Sequence, residues 1–303
     1  MAIQIYNRRT GQLETEMVFQ RWFMTMAYGT PLGRASATLL WSRKWFSRLY
    51  GVLQRSRMSR RKIRRFVERH AIDCSELDRP LQSYRSFDDF FQRRLEPTAR
   101  PIAGNKDTLI SPADARLLAY PVRQGLVVPI KGARYSMSRL TAGAADDHRF
   151  HEGLCLVFRL APVDYHRFCY IDDGEHGAHR SVSGRLHSVS PLALRRGVNA
   201  FHENQRDVVV LRIASFGPVV EVDVGALAVG RIIQHHRSAH RFRRGAEKGC
   251  FAFGGSTIVL VFERDRVSID RDIVEHSNQG IETLVRYGEE IGRGASSTGR
   301  DHV

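Results

Sequence analysis

Residues 249–263 read GCFAFGGSTIVLVFE, a glycine pair followed by a run of β-branched and aliphatic residues. The run from Ser256 to Glu263 predicts a buried strand. Gly254 and Gly255 form a flexible joint directly in front of that strand. Taken alone, this joint is most simply a hairpin turn. The alternative is a strained peptide bond, in which the hydroxyl of Ser256 can attack the preceding carbonyl.

Further strands are predicted upstream of this stretch. Val, Ile, Leu and Phe dominate four segments, which Gly and Pro separate. These segments are Leu154–Leu160, Tyr165–Ile171, Asp207–Ile213 and Val219–Val224. Because no long helical pattern separates them, we expect an antiparallel β domain.

The residues before the strands favour helices. Ser83–Leu95 predicts a short helix with Ser86 as its N-cap, and Glu96-Pro97 ends it. The fold class we expect is therefore α+β. A basic helical N-terminal region, residues 1–80, precedes an antiparallel β-rich catalytic domain, residues 81–303.

The composition indicates a globular protein and excludes several other classes. Hydrophobic residues make up 42% of the 303 positions and charged residues 26%, which is enough for a sizeable core. There is no repeat, no low-complexity tract and no apolar run of about 18 residues that could span a membrane. The N-terminus lacks the apolar core of a secretory signal, so we expect a cytoplasmic location or the cytoplasmic face of a membrane. Neither the cysteine spacing nor the histidines at 235, 236 and 240 predict a metal site.

The positive charge is concentrated near the N-terminus. The window 31–70 holds twelve Lys or Arg residues and one Glu, and so carries eleven of the fifteen net positive charges of the chain. Within it Trp41, Trp45, Leu49 and Val52 form the apolar stripe of a basic amphipathic helix. Such a helix can lie in the interface of an anionic membrane. It can equally pack on its own domain with a solvated basic face. Nucleic-acid binding is the third reading, but no recognition motif supports it.

Three further motifs contain residues with catalytic chemistry. Ser111-Pro112-Ala113-Asp114 places an acid in a turn, where a capping role is the simplest explanation. The segment 164–170, DYHRFCY, places His166 in a predicted strand, where a hydrogen-bonded structural histidine is the commoner case. Gly225–Gly230 predicts a bend with close backbone approach. Each motif taken singly favours the structural interpretation.

In this order, however, the motifs resemble the phosphatidylserine decarboxylase family from about Arg85 to Glu263. The quoted elements are FFQRRL (90–95), RPI (100–102), SPAD (111–114), DYHRF (164–168), GRLHSVSP (184–191), VGA (224–226), VG (229–230), KG (248–249) and GGST (254–257). Each element alone is weak, whereas the ordered set is highly specific.

The resemblance implies a self-cleaving proenzyme. Ser256 Oγ would attack the carbonyl of Gly255, and elimination would release a β chain, residues 1–255, from an α chain, residues 256–303. Ser256 would become a pyruvoyl group, the covalent cofactor, with no metal. That group would form a Schiff base with the substrate amine and accept the electrons released as CO2 leaves.

The resemblance also implies roles for two other residues. Asp114 would belong to a charge relay with Ser256 during maturation, and His166 would act in decarboxylation. The family usually has a second histidine three residues after His166, where this chain has Cys169. A thiol is a weak base at neutral pH. We therefore expect His166 to act in both steps, with His151 or His187 as alternatives.

The expected partner is phosphatidylserine in an anionic membrane, which the enzyme would convert to phosphatidylethanolamine. We expect peripheral attachment on the cytoplasmic side, continued association of the α and β chains, and no nucleic acid. The sequence leaves the oligomeric state open, a homodimer included. Two alternative functions remain: a pyruvoyl decarboxylase of a soluble amino acid, and an uncleaved lipid- or phosphate-binding relative.

Overall fold

The computed structural model describes residues 3–16, 44–123, 127–130, 133–189, 191–194, 199–226, 231–253 and 256–295. Nineteen strands lie within these ranges: β1 (Ile3–Asn7), β2 (Gln12–Glu16), β3 (Thr108–Ile110), β4 (Ala115–Pro121), β5 (Val127–Ile130), β6 (Ala133–Ser136), β7 (Leu154–Leu160), β8 (Arg167–Cys169), β9 (Gly174–His176), β10 (Arg180–Val182), β11 (Arg206–Ile213), β12 (Gly217–Gly225), β13 (Ile232–Gln234), β14 (His240–Phe242), β15 (Glu247–Phe251), β16 (Ser256–Phe262), β17 (Val267–Ile269), β18 (Glu282–Val285) and β19 (Glu290–Gly294).

Seven α-helices lie within the same ranges: α1 (Lys44–Arg55), α2 (Arg61–His70), α3 (Phe87–Phe91), α4 (Met137–Thr141), α5 (Pro191–Leu194), α6 (Ala200–Glu203) and α7 (Arg271–Asn278). Short 3-10 helices span Arg57–Arg60, Cys74–Glu76, Leu81–Ser83, Pro97–Ala99 and Asp147–Phe150. The predicted α+β class, rich in β structure, is confirmed.

The main sheet contains eleven strands of the described residues, in the order β14-β9-β11-β12-β16-β7-β4-β18-β1-β2, with β10 paired to β11. Neighbouring strands are antiparallel except for β1 and β18, which are parallel. Smaller sheets are β13-β15-β8, β17-β19-β3 and β5-β6. Strand β16, the predicted strand at 256–263, lies in the interior of the main sheet between β12 and β7.

Strand β16 is buried on both faces, which explains its unbroken apolar sequence. Ile258, Leu260 and Phe262 pack into one hydrophobic cluster, and Val259 and Val261 pack into another on the opposite face. Side chains alternate between the faces of a strand, so Ser256 lies on the face of Ile258. That face also carries Cys169 and Phe251.

Two predicted elements are shorter than expected. The segment Tyr165–Ile171 contributes only β8, because it is an outer strand that pairs with β15 across a register shift between Glu247 and Gly249. The predicted helix Ser83–Leu95 reduces to α3, since Leu95 leaves the helix to bridge to Leu77. Ser86 caps α3 as predicted, accepting a hydrogen bond of 3.1 Å from the amide of Asp89.

The prediction of a helical region over residues 1–80 is wrong for residues 3–16. These residues form the β1–β2 hairpin, whose first strand pairs in parallel with β18. Long-range ion pairs favour this arrangement: Arg8 binds Asp270 at 2.6 Å and Asp272 at 2.7 Å. The N-terminus is therefore part of the main sheet, and the helices of this region are α1 and α2.

Helix α1 presents apolar side chains to solvent. Leu49, Val52 and Leu53 are each more than half exposed, and Met58 beyond the helix is 78% exposed. The opposite face is polar and buried, at Ser47 and Gln54. Of the predicted apolar stripe, Trp41 and the side chain of Trp45 lie outside the described residues.

Candidate active site

Ser256 occupies the first position of β16, between Gly225 of β12 and Leu160 of β7. Its side chain is completely buried, and its hydroxyl has no hydrogen-bond partner among the described residues. A buried hydroxyl without a partner costs about 1–3 kcal/mol. Such a group in a native structure calls for an explanation, and a catalytic role is one. Gly254 and Gly255, predicted to precede it at the cleavage site, lie outside the described residues.

His166 lies close to the same end of β7. Leu160, the last residue of that strand, pairs with Ser256, and a short loop then leads to His166. The carbonyl of His166 accepts a hydrogen bond of 2.9 Å from the amide of Phe251, on the strand that leads back toward Ser256. His166 and Ser256 therefore lie in the same region of the fold.

Two contacts help to orient the imidazole of His166. Its Nδ1 is 3.0 Å from the carbonyl oxygen of Asp164, and its ring lies 4.0 Å from that of Phe91, centroid to centroid. Because a carbonyl can only accept, Nδ1 carries a proton, and in the neutral imidazole Nε2 then has the lone pair. The ring is fully buried. This geometry suits a histidine that exchanges a proton through Nε2.

An aromatic cluster holds the segment that leads into the glycine pair. The ring of Phe253 lies 5.1 Å from Phe87, 4.9 Å from Phe91 and 5.6 Å from Tyr50 of α1. Its amide donates to Asp88 Oδ1 over 3.2 Å. The backbone is thus anchored one residue before Gly254, and the anchor also contacts α1.

Asp114 is bound to a cation rather than to the other predicted site residues. Arg100 donates to both carboxylate oxygens, at 2.9 Å and 2.8 Å, and the amide of Tyr287 donates to Oδ1 at 2.8 Å. No hydrogen bond of Asp114 within the described residues reaches His166 or Ser256. The predicted relay is therefore not assembled around this carboxylate.

Cys169 lies beside the turn that carries Asp114. Its amide donates to the carbonyl of Pro112 over 2.9 Å, and its thiol contacts the hydroxyl of Tyr287. The side chain is fully buried, and burial raises the pKa of this thiol to about 12. The thiol is thus protonated at neutral pH and has no lone pair of useful basicity.

The two alternative histidines differ in their distance from Ser256. His151 is exposed and precedes β7, whose far end pairs with Ser256, so about 20 Å of strand separates them. His187 is buried, with Nε2 3.3 Å from Glu203. Asn204 donates to the carbonyls of both His187 and Gly225, each over 2.8 Å, and Gly225 is the strand partner of Ser256. Only His187 therefore lies near the site.

A buried cluster of charges lies on the same face of the sheet as Ser256. Lys248 Nζ is 3.0 Å from Glu221 Oε1 and 2.8 Å from Asp223 Oδ2, and all three side chains are at most 2% exposed. Burial raises the pKa of Glu221 to about 8, with Asp223 adding to the shift and Lys248 opposing it. Sequence reasoning missed this cluster. The sequence pattern that could have revealed the cluster is the alternation of Glu221 and Asp223 with valines, in a strand otherwise expected to be buried.

The described residues contain no group of three or more His, Cys, Asp or Glu side chains placed to hold a metal ion. Nor does any helix among them combine the length and apolar character needed to cross a membrane.

Comparison with known proteins places these features in a family. The phosphatidylserine decarboxylase family profile matches residues 87–293. The phosphatidylserine decarboxylase proenzyme of Clostridium botulinum is 40% identical over 291 residues, covering 96% of this chain and 98% of that protein. The proenzyme of Chlamydia muridarum is 42% identical over 292 residues, covering 96% and 97% respectively. The chain thus belongs to the phosphatidylserine decarboxylase family.

Proposed function

We propose that this chain is the self-cleaving proenzyme of a pyruvoyl-dependent phosphatidylserine decarboxylase. The observation that carries the proposal is the fully buried Ser256 hydroxyl, which follows a glycine pair and has no hydrogen-bond partner among the described residues. A pyruvoyl group formed from Ser256 itself fits this site, because the side-chain oxygen that would react is already removed from water.

Maturation starts from the chain's own residues. Ser256 Oγ adds to the carbonyl carbon of Gly255, its proton passes to a base, and the peptide C–N bond breaks to leave an ester. Loss of the Ser256 α-proton then breaks the Cβ–Oγ bond, which frees the β chain with a C-terminal carboxylate at Gly255. Water converts the remaining dehydroalanine into a pyruvoyl group and ammonia. Glycine at 255 favours the first step because its carbonyl is unhindered.

We assign the base to His166. With Nδ1–H donated to the carbonyl of Asp164, Nε2 can accept the proton of Ser256 and later transfer a proton during turnover. The pyruvoyl group supplies an acceptor for the electrons released as CO2 leaves. Cys169 has no part in this scheme because its thiol stays protonated, and the carboxylate of Asp114 is bound by Arg100 and by the amide of Tyr287.

The two chains stay together after cleavage. The α chain contributes β16, which is hydrogen-bonded to β12 and β7 of the β chain along its full length. It also contributes β18, which pairs with β1 and β4 of the β chain. Separating the chains would remove strands from the interior of the main sheet, so we expect them to dissociate only on unfolding.

The substrate is phosphatidylserine at the surface of an anionic membrane. The exposed Leu49, Val52 and Leu53 of α1 lie within the most basic part of the chain, a combination typical of helices that bind the membrane interface. We place the enzyme peripherally on the cytoplasmic side. The exposed apolar face counts against a decarboxylase of soluble amino acids, which needs no such surface.

The test is an intact-mass spectrum of the purified protein beside a Ser256→Ala control. We expect two chains that meet between residues 255 and 256, an α chain blocked at its N-terminus by the pyruvoyl group, and one uncut chain in the control. The cleaved protein should release CO2 from phosphatidylserine in mixed micelles and not from free serine. An uncut wild-type chain of 303 residues would instead indicate a lipid-binding relative.

A further inference from the structure

Arg93, just after α3, is a buried arginine with no carboxylate within ion-pair distance among the described residues, although Asp114 and Asp164 attract it from farther away. Its side chain is only 4% exposed. Nη2 donates to two backbone carbonyls, those of Val163 at 3.0 Å and Asp164 at 2.9 Å. The guanidinium also lies over the ring of Phe90, 5.1 Å from its centroid. The arginine therefore binds the loop that joins β7 to His166.

One of those carbonyls is the hydrogen-bond partner of the proposed catalytic histidine. The oxygen of Asp164 accepts from Arg93 Nη2 and lies 3.0 Å from Nδ1 of His166. A carbonyl oxygen has two lone pairs, so it can accept both bonds at once. Arg93 thus contacts the atom that determines which nitrogen of His166 carries the proton.

The rest of Asp164 is held as firmly. Its carboxylate forms an ion pair with Arg116 and accepts from the amide of Ala161 over 2.6 Å. Arg116 is itself paired with Glu16 of the β1–β2 hairpin at 2.7 Å. These contacts hold the side chain of Asp164, and Arg93 holds its carbonyl. Together they leave the peptide group little freedom to rotate.

The buried arginine is costly for the fold. Its Nε and Nη1 have no hydrogen-bond partner in the described part of the chain. Burying a guanidinium without full pairing is unfavourable, and an apolar residue of similar size is often more stable in such a place. Local features that cost stability are expected at functional or strained positions, so the contacts of Arg93 with the loop before His166 call for a functional explanation.

We infer that Arg93 is a positioning residue for His166, which holds the Asp164 carbonyl so that the imidazole keeps its proton on Nδ1 and presents Nε2 to the reaction. This inference rests on the proposed role of His166. Removing the guanidinium frees the carbonyl to rotate, so the ring loses both its orientation and its preferred tautomer. A displacement of about 1 Å at a catalytic group lowers rates about 100-fold.

The first test reads the tautomer without requiring activity. In the uncleavable Ser256→Ala protein, 15N spectra of the histidine rings should show His166 with the proton on Nδ1, assigned by its loss in a His166→Gln variant. Adding Arg93→Gln should produce a mixture of both tautomers or exchange broadening. Adding Arg94→Gln, which removes an exposed arginine at the next position, should leave the His166 signals in place.

The second test measures turnover in the cleaved enzyme. We expect Arg93→Gln to lower kcat about 10- to 100-fold with KM unchanged within about twofold, and to slow cleavage similarly. Arg93→Lys, which keeps the charge and can reach one carbonyl, should recover part of kcat. If Arg93→Gln fails to fold, the comparison of Arg93→Lys with Arg94→Lys replaces it, with an expected loss of about threefold or more.

Two results separate this inference from the proposed function. If Arg93→Gln keeps both the tautomer and kcat of the Arg94→Gln control, Arg93 does not position His166, whatever His166 does. If His166→Gln cleaves and decarboxylates normally, the role of His166 is wrong, while the 15N spectra still decide whether Arg93 sets its tautomer.

Discussion

Replacing Lys248 by Met should destabilise the protein strongly, although the new side chain is apolar and similar in length. Lys248 is 1% exposed and binds Asp223 at 2.8 Å and Glu221 at 3.0 Å. With Glu221 protonated at neutral pH, the cluster is neutral: one ammonium, one carboxylate and one carboxylic acid. Without the lysine, Asp223 is left as a buried charge with no cation beside it; its remaining hydrogen-bond partners are the amide of Gln234, 2.6 Å away, and Glu221.

The expected loss follows from the burial of that charge. Removing one partner of a buried ion pair costs about 3–5 kcal/mol, because the other charge remains uncompensated. Replacing all charged partners together should cost far less, since no ion is then left in the interior. A variant with Lys248→Met, Glu221→Gln and Asp223→Asn should therefore recover most of the loss.

The assay is urea unfolding at pH 7 in the Ser256→Ala background, where the protein is a single chain. We expect the free energy of unfolding of Lys248→Met to fall by about 3–5 kcal/mol, and that of the triple variant to lie within about 2 kcal/mol of the parent. Equal destabilisation of the single and triple variants, or a loss below about 1 kcal/mol in the single variant, would refute this reasoning.

Three further predictions concern the same molecule. Because the pKa of Glu221 is raised to about 8, only the folded state keeps this proton between about pH 5 and pH 8. The contribution of Glu221 to the free energy of unfolding therefore falls as pH rises through that window. Glu221→Gln should flatten the pH dependence of the free energy of unfolding, measured with urea. If a relay with Asp114 forms, Cys169→His should speed self-cleavage, which gel densitometry can follow. The same change should cost about 1–3 kcal/mol of stability because the site is fully buried. A cleavage rate equal to that of Cys169→Ser would show that no relay runs through this position. The double variant Leu49→Glu, Leu53→Glu should sediment less with anionic liposomes, and so should the double variant Trp41→Glu, Trp45→Glu. The control Val274→Glu on α7 should bind as the parent does. Equal binding by all variants would exclude docking through α1.

The strand pattern was predictable because it depends on local composition. A run such as Ile258–Phe262 is apolar at every position, so it must be buried on both faces whatever its partners are. Ser86 was recognisable as a cap for the same reason, since its hydrogen bond spans only three residues. The order of the motifs likewise predicted roles for Ser256 and His166; Ser256 pairs with Leu160 at the end of β7, and His166 follows that strand after a short loop.

The N-terminal hairpin depended on contacts that no local window contains. β1 pairs with β18, and Arg8 binds carboxylates more than 260 residues away. Glu16 is similarly paired with Arg116 and Arg159. The charge and apolar pattern of residues 31–70 indicated a basic helical region, which we extended to residues 1–80, because no local pattern could show that residues 3–16 complete a sheet.

At the active site, the amino-acid sequence by itself determined which groups are present, and only the tertiary structure decided which of them interact. Asp114 is bound by Arg100, Cys169 is buried against Tyr287, and Arg93 holds the carbonyl that orients His166. Hydrogen bonds and ion pairs act over about 3 Å, and burial determines whether a group keeps its charge. Both depend on how distant segments pack, so the chemistry of these side chains follows from the fold and not from their order in the chain.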